Sequence, residues 1–124
     1  MPLTVRLALA CVFVLAVTAA SPVPFWTPGA AQISRLEAVA KPVGEMAALS
    51  KYDRDYAGTT VAGHKVIEGR WVQRNWNTTP QTPNPKIVPF TDLPEIDDGG
   101  CSVVTVMYDV KADKIVLLKC NGFA

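Results

Sequence analysis

The stretch "CSVVTVMYDVKADKIVLLKC", residues 101–120, restricts the possible folds of this chain more than any other. It holds two β-prone runs separated by the polar "DVKAD", with a cysteine at each outer end. If Cys101 faces Cys120 in an antiparallel pair, Tyr108 faces Asp113 and the loop is Asp109–Ala112. A four-residue loop built on a type I turn is a common hairpin connection. Register and loop length therefore agree with a disulfide between Cys101 and Cys120, and a diagonal offset stays open. Closing a loop of about 20 residues contributes roughly 3 kcal/mol in the chain-entropy model. The contribution is smaller if the hairpin is already partly closed in the unfolded chain.

The first residues say where such a bond could form. "MPLTVRLALACVFVLAVTAASPVPF" has one basic residue, Arg6, then an apolar run, then the small residues Thr18, Ala19 and Ala20. That is the layout of a secretory signal peptide over residues 1–20, with cleavage near Ala19 or Ala20. The run from Leu7 to Ala20 is shorter than the about 20 residues of a membrane-spanning helix. Cys11 lies inside the run, with "VFVLAV" continuing beyond it, and is expected to leave with the signal. The mature chain, residues 21–124, is then one small domain in a periplasmic or secreted, oxidising location, meeting the membrane only during export.

Charge narrows the partners. The chain has 12 Lys and Arg against 11 Asp and Glu, and loss of Arg6 makes the two equal. A nucleic-acid binder needs a basic face to displace counterions from phosphates, and no such run is present.

Along the mature chain, "TPGAAQISRLEAVAKP" (27–42) reads as a helix, with Thr27 as N-cap and Pro28 in the first position. Ile33, Leu36, Val39 and Ala40 form its apolar stripe, and Pro42 ends it. A second short helical turn is expected over 44–50. "YDRDYAGTTVAGHKVIEGRWVQ" reads as a hairpin with strands over 53–61 and 65–73 and a turn at "VAGH", where Gly63 can take positive φ. The polar, proline-containing stretch 75–85 is a loop. "KIVPF" (86–90) suits a short edge strand. The fold class expected is α+β: an N-terminal helix on an antiparallel sheet of four to five strands, the C-terminal hairpin stapled by the disulfide. The order is similar to the cystatin-like arrangement, an analogy of fold that carries no function.

Candidate chemistry is sparse. Zinc needs about four ligands at recognised spacing, whereas the mature chain offers Cys101, Cys120 and His64, so no metal and no cofactor are expected. A Cys101–His64 nucleophile pair would require a reduced Cys101. "IDDGG" lacks the ligands of a calcium loop and the lysine of a phosphate loop, and reads as a Gly-Gly turn into a strand. Asp53, Asp55, Glu68, Asp97 and Asp98 could serve a small carboxylate-based hydrolase, or be surface charges at alternating strand positions. Tyr52, Tyr56, Trp71 and Trp76 could form a ligand-facing aromatic platform for a cell-wall sugar, or be packing residues.

The segments "YDRDYAG", "GHKVIEGRWV" and "LPEIDDGGCSVVTVMYD", with the final "CNG", resemble a group of small secreted bacterial proteins of unassigned function. The likeness spans most of residues 26–124 and implies bacterial export and the cysteine pair, but no activity. The function expected is a non-enzymatic exported domain that binds a protein or another cell-envelope partner.

Overall fold

The computed structural model describes residues 24–74 and 85–122. The stretch 1–20 expected to be a signal, Cys11, Trp76 and all but Pro85 of the stretch 75–85 expected to be a loop lie outside the described residues. Six strands and one helix follow in the order β1 (Phe25–Trp26), α1 (Ala30–Val39), β2 (Tyr52–Val61), β3 (His64–Gln73), β4 (Lys86–Ile87), β5 (Val103–Asp109) and β6 (Lys114–Cys120). The main sheet runs β1-β2-β3-β5-β6 with every pairing antiparallel. β4 pairs in parallel with β2, through Asp55–Lys86 and Tyr56–Ile87. The α+β class is as expected, but the sheet has six strands rather than four to five. Both short pieces share the outer edge of β2: β4 lies within the edge strand expected over 86–90, and β1 is the additional strand, two residues being too short to leave an alternating pattern in the sequence.

The central hairpin matches its expectation closely, each strand beginning one residue earlier. Its two-residue turn, Ala62–Gly63, has positive φ at both positions, 49° and 79°. Mirror-image turns of this kind fit the twist of paired strands. Glycine takes that conformation freely; alanine takes it at a cost.

Helix α1 is shorter than 27–42 at both ends. Trp26 is held in the sheet opposite Gly58, so Thr27–Gly29 must carry the chain from the sheet edge onto its face. Gly29 is the N-cap, and Gln32 Oε1 accepts from its amide at 2.9 Å. Thr27 and Pro28 do not take the capping roles expected of them. At the other end Ala40 N–H donates to Leu36 O, and Pro42 disfavours any further turn. The short helix expected over 44–50 is absent. A single 3₁₀ turn, Leu49–Lys51, leads directly into β2.

The apolar stripe of α1 covers one sheet face. Ile33, Leu36 and Ala40 are buried against Tyr52, Tyr56, Ile67, Trp71, Val104, Val106 and Tyr108. Val39 packs at the margin. Burying side chains of this size contributes about 1.5–3 kcal/mol each before conformational entropy is charged. Gly69 is required inside β3. A Cβ there would stand 2.6 Å from both the Tyr56 ring and Val106, so the ring occupies the space a side chain would need.

Cys101 and Cys120 are joined, with Cα atoms 4.5 Å apart. The register differs from the expected direct facing, since Cys120 pairs with Val104 and Asp109 with Lys114. Gly99 and Gly100, at φ 100° and 55°, start a 3₁₀ turn over Gly100–Ser102 that takes Cys101 out of the strand and folds it back towards Cys120. The register also slips by one residue at Met107/Tyr108, where Val116 is the unpaired residue of a bulge. The loop is therefore Val110–Asp113, again four residues long.

Two outcomes test this reading. Ala62→Gly should raise stability by about 0.5–1 kcal/mol, because strain relieved in the turn exceeds the entropy added to the unfolded chain; urea denaturation measures it. Reduction of the disulfide should lower stability by about 2–3 kcal/mol, or about 10–20 °C in melting temperature for a domain of this size. Oxidised, unfolded protein should show no free thiol at Cys101 or Cys120.

Candidate functional site

The sheet offers four surfaces: the face under α1, the opposite face, and two edges. The face under α1 holds three of the four aromatics that could have formed a ligand platform. Tyr52, Tyr56 and Trp71 are each 0% exposed. They are core residues, because alternate positions of β2 and β3 point to the helix. Their polar atoms are used internally. Trp71 Nε1–H donates to Tyr56 OH at 3.0 Å, and Tyr56 donates to Glu37 Oε1 at 2.8 Å. Arg54 Nε–H donates to the same carboxylate oxygen at 2.6 Å, and its Nη1 reaches Leu49 O. Tyr52 OH donates to Cys101 O at 2.7 Å and accepts from Ala47 N–H. Burial first, and then the negative charge of Glu37, raise the Tyr56 phenol far above its ordinary range, so it stays a donor. The rings are unavailable for stacking, which corrects the platform reading for these three; Trp76 lies outside the described residues.

The opposite face carries the candidate carboxylates. Asp53 accepts from Arg74 at 2.9 Å, and Glu68 accepts from Arg70 at 2.9 Å. Asp55 stands opposite Arg70 in the β2–β3 register and beside Lys86 across the β2–β4 pair. Desolvation raises the Asp55 pKa; Lys86 counteracts the rise and Asp53 reinforces it. These are charges on alternating strand positions with cations beside them. Near the end of β6, Glu68, Arg70, Thr105, Leu117 and Lys119 meet the Glu95–Asp97 segment around a cavity of about 350 Å³. Asn121 closes it: its side-chain amide donates to Ile96 O and to Asp98 O, the latter at 3.0 Å. Nothing local in the sequence marks Asn121 as a clamp, because its partners lie 25 and 23 residues away. Among the described residues no group of three His, Cys, Asp or Glu side chains is arranged to hold a metal ion.

His64 and Cys101 do not meet. His64 pairs with Val61 beside the Ala62–Gly63 turn and lies 3.2 Å from Asp109, at the far end of β5 from Cys101. A seven-residue strand spans roughly 20 Å. Separation and the disulfide both tell against the nucleophile pairing, and the disulfide expected from the sequence is present.

The two edges differ from these satisfied faces. At the β1/β4 edge, Phe25 and Phe90 stack with ring centroids 4.9 Å apart. With Trp26, Ile87, Val88 and Pro89 they line an apolar cleft of about 340 Å³. Phe25 is 45% exposed and Ile87 40%. At the other edge β6 pairs, among the described residues, only with β5. Its turn is tied to α1 by Asp113, which accepts two hydrogen bonds from Arg35 Nε, a third from Arg35 Nη2, and one from Tyr108 OH. No helix among the described residues is long and apolar enough to cross a membrane.

The hydrogen bond from Arg35, then that from Tyr108, hold the Asp113 carboxyl at about 2, below its ordinary range. A lowered folded-state pKa favours the fold above the ordinary carboxylate range and loses that effect as pH falls towards the folded value. Asp113→Asn keeps a residue tolerant of the positive φ here but removes the charge. The wild type should therefore be more stable than this variant at pH 7, with the gap closing between about pH 4 and 2. Denaturation curves at several pH values measure the gap.

No family model, no curated protein and no solved structure matches this chain.

Proposed function

We propose that the protein is an exported, non-enzymatic domain, released to the periplasm or the exterior by signal cleavage near Ala19 or Ala20, that binds a protein partner of the cell envelope. The observation that carries the reading is the apolar cleft at the β1/β4 edge. Phe25, Ile87 and Phe90 leave aromatic and branched surface in water beside a short, interrupted strand edge. Clustered exposed apolar surface of this kind marks interaction sites in domains whose core is otherwise closed. The joined cysteines fit an oxidising compartment, and the likeness to small secreted bacterial proteins supports the same destination. Asp53 and Glu68 are each paired with an arginine and Asp55 has Lys86 beside it, so these three lend the hydrolase reading no free base.

The test expresses the full chain with a C-terminal tag in its own host and cross-links it there. A specific envelope protein should be recovered with wild type and lost, by about tenfold or more, with Ile87→Glu, whose side chain is exposed and outside the core. Equal recovery with both proteins, or none with either, would remove the cleft as the basis of binding. The same preparation should begin at Ala20 or Ser21 by intact mass; a full-length chain retained in the membrane fraction would contradict export with cleavage.

A further inference from the structure

The β6 edge is chemically distinct from the β1/β4 cleft. Asn121 N–H donates to Val103 O at 2.8 Å, so in the alternating antiparallel pattern Leu118 and Cys120 turn their backbone groups away from β5. Those donors and acceptors have no strand partner among the described residues. Val116, at the bulge, is 53% exposed and is the most exposed large apolar residue of the sheet. An open edge with an apolar centre is a template for an added strand.

The charges around that edge are uneven. At the turn end, Lys111 and Lys114 are exposed, and no ion pair engages either among the described residues. The nearby carboxylates are already occupied. Asp113 is held by Arg35 and Tyr108, and Asp109 accepts from Ala112 N–H with His64 beside it. At the other end Lys119 shares its groove with Glu95 and Asp97, so the positive charge there is offset. A second copy is a poor occupant. In a two-fold antiparallel pairing centred between Val116 and Leu117, each Lys114 meets the other copy's Lys119, and like charges directly opposite are destabilising.

From this we infer that β6 receives an extended protein segment as an added strand, with apolar residues at its centre and acidic side chains at the end lying against Lys111 and Lys114. The inference rests on the partner-binding reading and names a second contact surface and its chemistry. Main-chain hydrogen bonds from Leu118 and Cys120 supply the attachment, and the lysines set direction and register.

The experiment is a titration of oxidised mature protein with two synthetic peptides of about eight residues, at millimolar concentration. Both alternate Val and Thr; one ends in Glu-Asp, the other in Lys-Lys. The acidic peptide should slow amide hydrogen exchange at Leu118 and Cys120 and bind about tenfold more tightly than the basic one. The preference should weaken as salt screens it. Lys111→Glu with Lys114→Glu should invert the preference, and its unchanged melting temperature would show the fold intact. Equal binding of both peptides, protection elsewhere, no binding, or protection of the same amides by self-association without peptide would each overturn the inference. Partner recovery that still depends on Ile87 would then leave the cleft-based reading standing, so the two failures are distinguishable.

Discussion

The Glu37 carboxylate joins the helix to the sheet. It sits on the only described helix, is 17% exposed, and accepts from Arg54 of β2 and from Tyr56, which itself accepts from Trp71 of β3. A charge at this depth destabilises the fold unless it is paired and fully hydrogen-bonded. Here the pairing draws three elements to one point. Apolar burial by Ile33 and Leu36 is non-directional and would tolerate several helix placements. The carboxylate restricts them to one in which Tyr56 and Arg54 both reach it. Among the described residues no buried side-chain polar atom lacks a partner, so the network is satisfied throughout.

A second set of contacts fastens the C-terminal part of the sheet. The disulfide ties the 3₁₀ turn before β5 to the end of β6, Tyr52 reaches the carbonyl of Cys101, and Asn121 clamps the Ile96–Asp98 loop. These lie at one end of the β5–β6 hairpin, while the Arg35–Asp113–Tyr108 contact holds the other end to the helix. The hairpin is thus fastened at both ends, by the disulfide and Asn121 at one and by Asp113 at the other.

The distribution of polar groups separates the faces of the sheet from its edges. One face is closed by the helix. The other carries charges with partners beside them, Glu68 with Arg70 of its own strand and Asp53 with Arg74 just past the end of β3. The edges cannot be neutralised in this way, because a strand edge presents backbone groups whatever its side chains are. The short pieces β1 and β4 cover the middle of one edge, at Asp55, Tyr56, Gly58 and Thr59, and leave an aromatic cleft between them. The bulge and two lysines on β6 discourage self-pairing without covering it.

The sequence alone determined the elements whose pattern is local: the β2–β3 hairpin with Gly63 in its turn, the apolar stripe of α1, the Gly-Gly turn before Cys101 and the pairing of Cys101 with Cys120. Each rests on residues close in sequence or on a single chemical possibility. Tertiary structure decided what depends on distant partners. Strand β1 exists only because the edge of β2 is present to receive it, and that edge pairs just two residues of the 86–90 stretch as β4. The helix starts at Ala30 because Trp26 is held in the sheet. The hairpin register is set by the 3₁₀ turn at Cys101 and the bulge at Val116, neither of which alternation reveals. Tyr52, Tyr56 and Trp71 carry the same rings whether they face solvent or core. Only the side of the sheet that the helix covers, fixed by Glu37 reaching Arg54 and Tyr56, made them core.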